Sequence, residues 1–263
     1  MRFFCAAFAI SIVSGLFTAA WGAYKDAPLE RFNAASFWRS VVFSACIFGI
    51  FIAAEPLRGR FAALHLVQVF LLVMGIERLA IEIYKPCFRR EDQTKYLIPQ
   101  DMSFLGLNVA SRATRIWVGL ALISGTLGVL LLATPIATFA SQLVVATLVG
   151  LFICCGGAAK DAPFEGFQPR KFLRSALVLA AASPLLHRLG PVPLGLYAFM
   201  CGGLERLIVE SYKTYFTQAR PGKFRRDLPV IDPRFLRHRP RLRALAASIV
   251  MLVSALYTYV VVS

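Results

Sequence analysis

The sequence predicts an all-α, polytopic integral membrane bundle of about eight transmembrane helices, arranged as two parallel four-helix repeats. Three observations predict it. The 263 residues are 58% hydrophobic, with mean hydropathy +0.65 and only 16% charged, whereas a soluble domain carries about 25% charged residues. Apolar runs of bilayer-crossing length recur along the chain. Two charged motifs are each written twice.

A spanning helix needs about 20 mostly apolar residues, and such runs occupy 2–23, 37–54, 61–84, 116–133, 136–158, 172–187, 192–212 and 244–263. The first imitates a secretory signal, with Arg2, an apolar core and small residues at Ala19, Ala20 and Ala23. Its match at 136–158 lies in mid-chain, so it reads as a retained helix. The stretch 116–159 is about twice one span and must fold back on itself. Thr134–Pro135 is the natural break, because proline removes a helix hydrogen bond and pushes its predecessor out of the helical region. The run 172–187 is short and fits a tilted or partly re-entrant helix.

"KDAPLERF" at 25–32 returns as "KDAPFEGF" at 160–167, and "GIERLAIEIYK" at 75–85 returns as "GLERLIVESYK" at 203–213. A weaker match aligns Asp101, Phe104 and Arg112 with Asp232, Phe235 and Arg243. The first repeat is therefore 1–135 and the second 136–263. An even number of spans returns the chain to its starting side, so the copies are parallel, related by a pseudo-two-fold axis along the membrane normal.

A formal charge of +15 would suggest nucleic acid in a soluble protein. In a membrane protein it reads as basic loops against anionic head groups, and no nucleic-acid partner is expected. Lys25, Arg31, Arg39, Lys85, Arg89, Arg90, Lys95, Arg112, Arg115, Lys160, Arg170, Lys171, Arg174 and the basic tail 213–243 fall on one side. Only Arg2, Arg58, Arg60 and Arg188 fall on the other. The positive-inside rule puts the rich side in the cytoplasm and both termini on the non-cytoplasmic side. The six cysteines form no C-x-x-C pair and read as small buried hydrophobes.

Ten of the 14 acidic residues fall on matched positions. Asp26, Glu30, Glu77 and Glu82, with partners Asp161, Glu165, Glu205 and Glu210, are the candidate catalytic groups. Lys25, Arg78 and Lys85, with Lys160, Arg206 and Lys213, are candidate phosphate ligands, and Tyr84 and Tyr212 accompany them. Helical spacing joins Asp26 to Glu30 and Arg78 to Glu82 at i, i+4. Asp26 also suits a helix N-cap, with Pro28 in the first turn. One reading makes these motifs latches between a loop and the foot of the third span in each copy. The other adds a ligand: carboxylates with Arg, Lys and Tyr at head-group depth suit a phosphate and a divalent cation such as magnesium.

Sharper signatures fail. There is no Asp-x-x-x-Asp run of the kind prenyl transfer uses, and His65, His187 and His238 are scattered. No Ser-His-Asp or G-x-S-x-G pattern occurs. His65 and Gln68 read as bundle-facing polar groups, and Gly125, Gly128, Gly156, Gly157, Gly202 and Gly203 as helix-packing positions. The expectation is a protein handling a phosphate-bearing lipid or lipid precursor at the cytoplasmic interface, in its catalytic form a metal-dependent transferase. The alternatives are a transporter or channel for a small solute, and a structural or assembly subunit of a membrane complex.

Overall fold

The computed structural model describes residues 1–217, 223–225, 227 and 229–263; Arg220 and Arg226 of the basic tail lie outside them. The chain is 77% helical and nearly all-α. Its helices are α1 (Arg2–Glu30), α2 (Ala34–Ala53), α3 (Glu55–Ala62), α4 (Leu66–Cys87), α5 (Arg112–Leu130), α6 (Phe139–Glu165), α7 (Pro169–Phe172), α8 (Arg174–His187), α9 (Leu194–Tyr212) and α10 (Arg239–Val262). Two minimal antiparallel ladders accompany them: β1 (Ser103–Phe104) with β2 (Leu107–Asn108), and β3 (Pro135–Ile136) with β4 (Val192–Pro193).

Among the described residues, five helical segments are long and apolar enough to cross a membrane: Arg2–Glu30, Ala34–Ala53, Arg112–Leu130, Phe139–Glu165 and Phe235–Val262. They mark the chain as an integral membrane protein. The expected spans at 61–84 and 192–212 correspond to α4 and α9, which are not among the five because each carries two Glu and one Arg within its apolar length. The expected span at 172–187 is α8, whose 14 residues reach about 21 Å, short of a hydrocarbon core of about 30 Å.

Boundaries differ from the sequence reading in ways with physical causes. The run 61–84 does not begin as one helix: α3 ends at Ala62, and α4 starts after His65, whose backbone N–H donates to Gln68 Oε1 at 2.8 Å. Asp26 is not an N-cap. α1 continues through Pro28 to Glu30, so Asp26 and Glu30 stand on its last turns. Pro28 cannot bond the Tyr24 carbonyl, and Arg239 Nε donates to that oxygen instead, at 3.2 Å. Pro184 in α8 is accommodated likewise, with Ser183 Oγ donating to the freed Ala180 carbonyl at 2.8 Å. The fold-back between α5 and α6 falls at the Thr134–Pro135 break.

The centre is the crossing of α4 and α9. A methyl group on Gly75 would overlap the Phe199 carbonyl, and one on Gly203 would overlap the Leu71 carbonyl. Between helices in a bilayer, where lipid tails remove the hydrophobic drive, such small residues let backbones approach and dispersion contacts accumulate. Around this pair α1 packs on α2 through Gly15, and α6 on α8 through Gly150. α10 lies along α1, whereas α5 leans on α4.

Candidate functional site

One end of the bundle encloses a cavity of about 1380 Å³ between the helices. Among the described residues, ten of the chain's 14 acidic residues line it, together with thirteen Lys or Arg, so this wall carries a net positive charge. Lys25, Asp26, Glu30, Glu77, Arg78, Glu82, Lys85, Lys160, Asp161, Glu165, Glu205, Arg206, Glu210 and Lys213 all belong to this wall. Tyr84 and Tyr212 do not: Tyr84 packs against Phe43 and under Arg39, and Tyr212 is exposed and stacks on Phe216. The acids thus share a single cavity instead of forming two separate clusters.

The acids on the central helices are the deepest. Glu77 and Glu205 are each 1% exposed and Glu210 3%. α2 and α8 deliver a serine to two of them. Ser175 Oγ donates to Glu205 at 2.6 Å, and Ser40 lines the same cavity near Glu77. Gly15 packs on the backbone at Ser40 and Gly150 on the backbone at Ser175, so the two serines stand at matched helix contacts. Arg78 does not pair with Glu82 on its own helix; it crosses to Glu205 on α9. Arg206 does pair at i, i+4, bonding Glu210 at 2.9 Å, while Lys213 lies 3.4 Å from the same oxygen. Lys25 and Arg206 each lie 4.3 Å from the Trp21 ring centre, which tethers the two cations beside the cavity.

The outer acids are held differently. Lys223 donates to Asp26 at 2.8 Å, and the Tyr96 hydroxyl, with one proton to give, lies 2.7 Å from Glu30 and 3.0 Å from Glu91. Tyr96 and Phe224 stack at 5.5 Å and form a backbone bridge, so the loop after α4 and residues 223–225 close the charged end as a floor. Burial pushes Glu91 up, but hydrogen bonds from Lys95 and the charge of Arg89 outweigh it and hold the carboxyl below its ordinary value. Burial, Glu30 and Glu91 together raise the Tyr96 hydroxyl far above the usual tyrosine range, so it remains a donor. Asp161 and Glu165 share one cation, Lys171, at 3.4 and 2.5 Å.

Among the described residues, six buried polar atoms in this wall have no hydrogen-bond partner within the protein: Thr18 Oγ1, Asp26 Oδ1, Glu77 Oε1, Glu210 Oε2, Arg39 Nε and Arg174 Nε. Buried polar groups are nearly always partnered, so orphans gathered in one cavity suggest a polar ligand. The three orphaned carboxylate oxygens do not make a metal centre: among the described residues no three Asp, Glu, His or Cys side chains converge on one ion position.

The sequence reading missed Ser40, Ser175, Trp21 and the pairing role of the loop residues Lys95, Tyr96 and Lys223. A signal for the serines was present: "FWRS" at 37–40 returns as "FLRS" at 172–175, at the same offset as the KDAP motif. Nothing in the sequence marks Tyr96 or Lys223, whose partners are distant in the chain. Compared with family models, characterised proteins and solved structures, the chain finds no match.

Proposed function

We propose that this membrane protein binds a phosphate-bearing lipid or lipid precursor in the cavity, with the charged end at the cytoplasmic surface. The observation that carries this reading is the composition of one wall. Among the described residues thirteen basic side chains, Arg39 and Arg174 with their orphaned donors included, stand at one end, and apolar residues of α5 and α6, from Val118 and Val149 onward, continue the same surface. Guanidinium groups with free N–H bonds are suited to phosphate oxygens. A soluble anion would need the basic end alone; an amphipathic ligand uses both.

The chain itself reads as two parallel four-helix units, 1–135 and 136–263, giving eight membrane-embedded helices and termini on the non-cytoplasmic side. Matched details support it. Gly15 meets α2 at Ser40 as Gly150 meets α8 at Ser175; Ser175 bonds Glu205, and Ser40 lies near Glu77. The excess of basic residues at the charged end supports a cytoplasmic placement. Among the described residues the carboxylates do not converge on one ion position, which favours binding of the lipid phosphate by the basic wall over a metal-dependent transfer. A stabilising role for the ion pairs coexists with binding, since Arg78–Glu205 and Lys223–Asp26 are fully formed.

Mass spectrometry of lipids co-purifying with the full chain tests the reading. Anionic phospholipid or polyprenyl phosphate should be retained, and Arg39→Ala with Arg174→Ala should lose it while the protein still accumulates in membranes. Equal retention by the variant, or co-purification of zwitterionic lipid only, would reject the assignment.

A further inference from the structure

We infer that the cavity opens sideways into the bilayer between α5 and α6, and that this opening takes the hydrocarbon tail of the lipid whose phosphate sits at the charged end. The inference rests on the function proposed above and adds the route and the position of the tail. Three independent features support it.

The first is the wall. One face of α5 from Val118 to Val129 and one face of α6 from Val149 to Gly157 line the cavity. The α5 face spans about 16 Å at 1.5 Å per residue, roughly half of a hydrocarbon core. The second is room. Gly125, Gly156 and Gly157 have no heavy atom within 4 Å of where a Cβ would stand. They are not close-packing glycines of the Gly75 kind, and they leave width along the slot. The third is asymmetry. α10 buries Ala246, Ile249 and Val253 and lies along α1. α5 has only Gly119 and Leu130 buried and follows α4 instead of α6. The side that α10 closes therefore has an open counterpart beside α6. At the inner end stand Glu77 and Arg174 with their unpartnered atoms, so the slot leads from lipid to the polar site.

The test fills the slot without touching the charged end. Gly125→Leu/Gly157→Leu places two isobutyl groups in the opening. Gly128→Leu is the control: it lies on α5 with equally open surroundings but does not line the cavity. The full chain is placed in phosphatidylcholine nanodiscs containing dioleoyl phosphatidic acid, and retained lipid is counted by native mass spectrometry. Inorganic phosphate binding is followed separately by phosphorus NMR line broadening.

The wild type and Gly128→Leu should retain phosphatidic acid. The double variant should retain it about tenfold less, with phosphate broadening unchanged. Retention at the wild-type level by the double variant would overturn the inference. Loss of both ligands would also overturn it, since the substitutions would then be acting on the charged end. A wild type that broadens phosphate but retains no phosphatidic acid would mark a soluble-anion site and remove the opening's role. A wild type that binds neither would remove the proposed function itself.

Discussion

Lys213 stands just beyond the end of α9, beside Glu210 and Arg206. Burial pulls its ammonium down to about 8 against the opposing attraction of Glu210. The sign follows directly: below that value Lys213 is charged and adds to the positive wall, and above it the charge is lost, well before a solvated lysine would titrate. Binding of a phosphodiester lipid such as phosphatidylglycerol, whose own charge is constant in this range, should therefore weaken as pH rises from about 7 to about 9. Lys213→Arg should abolish the drop, because guanidinium stays protonated. A wild-type profile that is flat across this window would remove Lys213 from the site. Arg31 stands at an unusual backbone position. It holds a left-handed φ of 67° at the end of α1, where the matched position at the end of α6 is Gly166 with φ 78°; the same backbone exit is kept by a residue that tolerates it and by one that does not.

Among elements, the α4–α9 crossing matters most. Its helices carry the deepest acids, and their closeness depends on two hydrogen atoms where any other residue has a carbon. Gly75→Ala or Gly203→Ala should force the helices apart and destabilise the fold by about 1–3 kcal/mol. Gly128→Ala, on an open helix face, should be neutral or slightly stabilising through helix propensity. Unfolding in mixed detergent would show the difference. Matching effects at Gly75 and Gly128 would mean the crossing tolerates separation.

At the scale of the whole molecule, the two halves are tied by charge as well as by packing. The Arg78–Glu205 pair joins a helix of the first half to one of the second, and Glu205 has almost no exposure with which to recover hydration. Removing one partner leaves an uncompensated buried charge. Arg78→Ala should therefore cost about 3–5 kcal/mol, read as a lowered detergent-unfolding midpoint. Exchanging the pair, Arg78→Glu with Glu205→Arg, should recover part of the loss. No recovery in the exchange would show that Ser175 and the surrounding cations fix the polarity of the site.

The sequence by itself was enough to specify a membrane-embedded helical chain and to single out its duplicated acids and bases, because bilayer burial demands long apolar runs and penalises every retained charge. It was not enough to show that Arg78 would reach Glu205 in place of Glu82. Nor did it reveal that Asp26 and Glu30 would be met by Lys223 and Tyr96, or that two sets of matched residues would share one cavity. Helical spacing describes neighbours on one helix only. Partners far along the chain are selected by how closely the backbones approach, and that was decided by the packing of α4 on α9 and by the side of α1 that α10 covers.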